Sequence, residues 1–92
     1  MIADRLAPIR ARFVQRSVRE CGEIEAMLRA DAPDLAAVGA LAHRIAGAGG
    51  TLGLPALGDA AIRLEDACDA RDAPGARDAA DALGRLVAAL AA

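Results

Sequence analysis

The stretch "AHRIAGAGGTLG", residues 42–53, decides how this chain is read. It holds the only histidine, His43, followed by four glycines at 47, 49, 50 and 53. Inside a helix each glycine costs about 1 kcal/mol relative to alanine, so the segment is either an expensive helix or a loop that begins near Ala46. The apolar residues favour the helix. Leu35, Val38, Leu41, Ala42 and Ile45 recur at spacings of three and four, and Leu52 falls seven residues after Ile45, still in phase with them. The expectation is a helix running through the glycines, with a loop over "GAGGTLG" as the alternative.

Outward from this stretch, three breaks divide the chain. "DAPD" at 31–34 ends one helical pattern and offers Asp34 as the N-cap of the next. "GLP" at 53–55 ends the second, with Pro55 suited to a first helical turn. "RDAPG" at 71–75 ends the third. The first segment carries Leu6, Ile9, Phe13, Cys21, Ile24 and Leu28, with Ser17 in the middle slot and Pro8 expected to set off a short leading turn. The third carries Leu57, Ala61, Leu64 and Cys68. The fourth carries Ala76, Ala79, Ala80, Leu83, Leu86, Val87 and Leu90. Four amphipathic helices with short connections predict an all-α fold, an antiparallel up-down-up-down four-helix bundle. A chain of 92 residues fits a single domain spanning 1–92, and the initial Met suggests a free-standing protein.

Composition narrows the function. Hydrophobic residues make up 55%, much of it alanine, and Phe13 is the sole aromatic, which suits close helix packing and not strands. Net charge is −2, so the chain as a whole offers no basic surface for nucleic acid. All eleven cations are arginine, which excludes Schiff-base chemistry and a phosphate-loop lysine. Cys21 and Cys68 fall at apolar helical positions and read as buried free thiols. No run approaches the length of a membrane span and no signal-peptide core is present, so a soluble, cytoplasmic location away from membranes is expected.

On a helical wheel His43 lies about 160° from the centre of the apolar stripe and so faces solvent. Its wheel neighbours Ala36, Gly39, Ala40, Ala46, Gly47 and Gly50 are all small and uncharged, where a solvent face ordinarily carries charges. Such a face leaves the imidazole standing free and lets another protein lie close. Enzymatic readings fare poorly. Ser17 and Thr51 are the only hydroxyl residues and neither pairs with His43. One histidine and two core cysteines do not make a zinc site, and "GAGGTLG" follows a helix where a phosphate loop follows a strand. No ATP site and no cofactor are expected. An exposed imidazole can still attack a phosphoryl group that a partner delivers, if the partner brings the metal and the charge-stabilising groups.

The segment "AHRIAGAGGTLGLPALGDAAIRLEDA", residues 42–67, resembles the signature of histidine phosphotransfer (HPt) domains of bacterial two-component phosphorelays. The matching positions are His43, Ile45, Gly47, Gly53, Leu57 and the pair Leu64–Glu65. The resemblance implies a four-helix bundle in which His43 is a phosphorylated nucleophile, carrying phosphate on Nε2. It would accept the group from a receiver-domain aspartate and pass it to another receiver. Response-regulator receivers and a hybrid histidine kinase would be the partners of an otherwise monomeric phosphocarrier, a transferase-like protein without a catalytic site of its own. Gly47 would give clearance, the Mg²⁺ would belong to the receiver, and apolar residues near His43 would supply docking area. The family commonly has a lysine three residues after the histidine; Ala46 stands there, and Arg44 is the nearest cation, about 100° around the helix. Partner contact is thus expected at Ala36, Gly39, Ala40, Arg44, Ala46, Gly47 and Gly50. Glu65 taken alone reads as a surface charge of the third helix, and Gly53 as a helix terminator.

Two other readings are open. The domain could be a degenerate docking module that binds receivers or a kinase without carrying phosphate. It could also be a dimerisation hairpin of a histidine kinase, although such hairpins have an acidic residue after the histidine, where this chain has Arg44.

Overall fold

Short polar caps and left-handed stops cut this alanine-rich chain into four helices. The computed structural model describes residues 4–92, in which α1 spans Ala7–Leu28, α2 Leu35–Thr51, α3 Pro55–Asp69 and α4 Ala73–Ala91. No strand occurs among the described residues. Asp34 caps α2 by accepting from the Ala37 amide at 3.0 Å, and Asp72 caps α4 by accepting from the Gly75 amide at 2.9 Å. Each satisfies an amide that the first turn leaves without a helical partner. Pro8, Pro55 and Pro74 all sit in first turns, where a missing N–H is harmless. A short turn does precede α1, closed by the Ala7 amide donating to the Asp4 carbonyl at 3.3 Å, and Pro8 lies just inside the helix that follows it.

The stops of α2 and α3 share one geometry. After α2 the chain enters the left-handed region at Gly53, φ 76°. The Leu54 amide donates back to the Gly49 carbonyl at 2.8 Å and the Gly53 amide to Gly50 at 3.4 Å. After α3 the same turn is made by Arg71, φ 56°. There Asp72 N–H donates to the Ala67 carbonyl and Arg71 N–H to Cys68, both at 3.0 Å. These are Schellman stops, which satisfy the last carbonyls and reverse the chain tightly. Helix α2 therefore runs through Gly47, Gly49 and Gly50 as expected, and the loop alternative does not hold.

Consecutive helices pack against one another and α4 closes back onto α1, giving an antiparallel four-helix bundle. The core is built from Phe13, Ile24, Leu28, Val38, Ile45, Leu57, Leu64, Leu83 and Val87, with alanines and both free cysteines between them. Burial pushes the Cys21 thiol up to about 11 and raises that of Cys68, so both remain protonated packing groups. Ser17 occupies its expected inward slot, its hydroxyl without a hydrogen-bond partner.

The apolar pattern overreaches at one end. Leu6, Ile9 and Leu90, expected in the core, are more than two-fifths exposed. They lie where α1 begins and α4 ends, and no further layer of the bundle covers them there. Two arginines tie neighbouring helices together: Arg10 Nε donates to the Leu52 carbonyl and Arg77 Nε to the Leu28 carbonyl, each at 2.9 Å. Both meet the negative end of a helix, where a cation is favoured. Arg10 also pairs with Asp4 at 3.0 Å. That hydrogen bond, then the Leu6 amide, holds the Asp4 carboxyl below the usual range. No described helix is long and apolar enough to cross a membrane.

Candidate functional site

The position of His43 follows from how closely α2 and α3 approach. At Gly49 a Cβ would stand 3.1 Å from the Gly58 backbone nitrogen and 3.1 Å from Leu57 Cδ2. At Gly58 it would stand 3.4 Å from the Ala46 carbonyl oxygen. Two glycines facing each other thus let the helices meet backbone to backbone. Further along, Gly39 is buried against α3, with the place of its missing Cβ 3.2 Å from Cys68 Cβ. This seam brings the α3 side chains within reach of those on the outer edge of α2.

At the middle of the seam, His43 Nδ1 lies 2.8 Å from Glu65 Oε2. A carboxylate can only accept, so in this contact Nδ1 carries the hydrogen and donates it. The lone pair is then left on Nε2. The histidine side chain is 74% exposed and that of Glu65 26%. The ring is held at one nitrogen by a half-sheltered carboxylate, while most of its surface remains open to water.

Around the ring, the sequence-derived face divides into two kinds of position. Ala36, Ala40, Arg44, Gly47 and Gly50 are exposed, as expected. A Cβ added at Gly47 or Gly50 would meet nothing within 4 Å, so packing does not demand either glycine. Gly39 is a correction: the wheel placed it on the open face, but it is buried under α3. Ala46 is partly sheltered, packed toward the core with its carbonyl facing Gly58. A shallow groove beside His43 is lined by Ala36, Ala40, Arg44, Glu65, Asp69 and Arg71. Of the large apolar residues left exposed, Ile62 stands on α3, one turn before Glu65.

Sequence reasoning missed the pairing of Glu65 with His43. The signal was present in the spacing, since both residues lie eleven positions from Leu54, at the turn of an antiparallel hairpin. No group of His, Cys, Asp and Glu side chains among the described residues is arranged to hold a metal ion. Ser17 is buried in α1, and Thr51 Oγ1 donates to the Gly47 carbonyl at 3.0 Å; neither approaches the imidazole as a nucleophile would.

The class these observations define is an all-helical four-helix bundle that displays one solvent-open histidine on a face of small residues. Comparison with known families makes this specific. The family model described as Hpt domain matches residues 8–92, nearly the whole chain, and the protein belongs to that family. No curated protein and no solved structure matches the chain.

Proposed function

We propose that this protein is a phosphocarrier of a phosphorelay, with His43 as the residue that is phosphorylated. The observation that carries the reading is the Nδ1–Glu65 contact on an otherwise open ring, because it reserves Nε2 for chemistry. The Nε2 lone pair attacks the phosphorus of a receiver's aspartyl phosphate. The N–P bond forms as the P–O bond to the aspartate breaks, and the aspartate leaves as a carboxylate. The hydrogen stays on Nδ1, so the ring becomes a phosphorylated imidazolium whose positive charge is stabilised by the Glu65 carboxylate. Transfer to a second receiver is the reverse of these steps. The Mg²⁺ and the groups that neutralise the phosphoryl oxygens come from the receiver. The exposed small residues Ala36, Ala40, Gly47 and Gly50 leave room for the receiver's loops, and Arg44 stands at the rim.

The test is incubation with a phosphorylated receiver domain and Mg²⁺, followed by assay for acid-labile, base-stable phosphate. Label on the wild type and none on His43→Gln is the expected result. Ala46, where the family commonly has lysine, favours a second reading, a docking module that carries no phosphate. Binding of receivers without label on the wild type would select that reading.

A further inference from the structure

Between Ala7 and Arg19 helix α1 contains four arginines and no acidic residue. Arg10 is committed to Asp4 and to the Leu52 carbonyl. The other three, Arg12, Arg16 and Arg19, are exposed and line a groove with Ala48 and Leu52 of α2. Arg16 lies over the Phe13 ring, 5.7 Å from its centroid, and reaches Glu20 at 3.2 Å. Neither Arg12 nor Arg19 has a carboxylate within 4 Å among the described residues.

The antiparallel register places this stripe on the flank of α2 opposite α3, at the level of the second half of that helix. Because Arg10 bonds to Leu52, nine residues back along α2 and nine forward along α1 bring His43 about level with Arg19. Arg16 is then about level with Ala46, and Arg12 with Gly50. Neighbouring helix axes lie about 8–10 Å apart. A standard interface covers about 800 Å² per partner, a disc of about 16 Å radius. A patch of that size centred on His43 is wide enough to extend over the exposed flank of α1. On the other flank α3 carries Asp59, Glu65, Asp66 and Asp69 against the single cation Arg63. The two edges of the His43 face thus differ in sign.

We infer that the receiver partner of the proposed relay docks in one orientation, with an acidic patch seated on Arg12, Arg16 and Arg19 of α1. This rests on the phosphocarrier reading and adds to it the chemistry of the partner surface. The cations on one edge, of which Arg12 and Arg19 have no carboxylate partner among the described residues, attract an acidic surface to that edge, and the acidic α3 repels the same surface, so the sign difference fixes the direction of approach. Such steering acts on the association rate and weakens with salt.

The experiment compares wild type with the triple variant Arg12→Glu, Arg16→Glu and Arg19→Glu, with the corresponding triple Gln variant, and with Arg85→Glu on α4 as a control. The Gln variant removes the charge without adding repulsion, and helicity is checked for all. Two phosphodonors are used: a phosphorylated receiver domain, and phosphoramidate, which needs no docked protein. Expected are a loss of about tenfold or more in receiver-to-His43 transfer for the Glu variant, a smaller loss for Gln and none for Arg85→Glu. Labelling by phosphoramidate should persist in the Glu and Gln variants. Wild-type transfer should fall with ionic strength, and transfer by the Gln variant should fall less. Receiver transfer untouched by the reversal would overturn the docking orientation while leaving the phosphocarrier reading intact. No label on wild type from either donor would overturn both. A wild-type dimer that the reversal converts to monomer would assign the stripe to the acidic α3 of a second copy, and would also overturn the proposal.

Discussion

The two edges of α2 carry glycine for opposite reasons. On the edge toward α3, Gly39 and Gly49 are buried, and their Cβ atoms would stand 3.2 Å from Cys68 Cβ and 3.1 Å from the Gly58 backbone nitrogen. On the open edge, Gly47 and Gly50 face empty space. In the first pair the fold requires glycine at Gly49, where backbone meets backbone, and leaves only a tight fit at Gly39. The second weakens the helix without serving its packing, and it stands beside the one exposed histidine. The same residue type, a few positions apart in one helix, is structural in one place and points to function in the other.

Substitution is the way to break this comparison. The largest effect is expected for Gly49→Val, which pushes a branched side chain into the backbone of Gly58. It should lower unfolding stability by about 3 kcal/mol in chemical denaturation, as overpacking does. Next comes Glu65→Gln, which keeps the shape but removes the charge facing Nδ1. Replacing a charge-assisted hydrogen bond by a neutral one at about 1.4 kcal/mol corresponds to about a tenfold faster loss of phosphate from His43, followed as decay of the acid-labile label. Gly47→Ala is expected to stabilise the helix by about 1 kcal/mol, visible as a higher melting temperature, while transfer from a receiver slows. An unchanged transfer rate would show that Gly47 does not provide clearance. Gly39→Ala should be the smallest, near zero, because the helix-propensity gain is opposed by the tight approach to Cys68 Cβ.

The helices were legible because their signals are local. Asp34 as a cap, Pro55 in a first turn and Gly53 at a left-handed stop each act within four residues, and a sequence displays them directly. So was the outward direction of His43, which follows from one helix and its apolar phase. What was not legible depends on a neighbour. A wheel drawn on α2 does not say on which side α3 lies, and so Gly39 was assigned to the open face. Nor does it reveal that Glu65 reaches across the seam to the imidazole. Leu6, Ile9 and Leu90 continue the apolar phase faithfully, yet the bundle ends before it can cover them. Periodicity describes a face but not where the partner helix stops.

The closeness of α2 to α3 has a consequence in time as well as in space. The two helices are joined by only three residues, and they meet more extensively than any other pair, whereas α1 touches α2 along much less of its length. Contacts between residues close in sequence have little loop entropy to overcome and form early. The α2–α3 hairpin is thus the natural nucleus of folding, and its amides should be the slowest to exchange with solvent, while the seam between α1 and α2 opens more readily. His43 stands on the unit that assembles first and loosens last, so its ring and the carboxylate that orients it stay together through the partial openings that release α1.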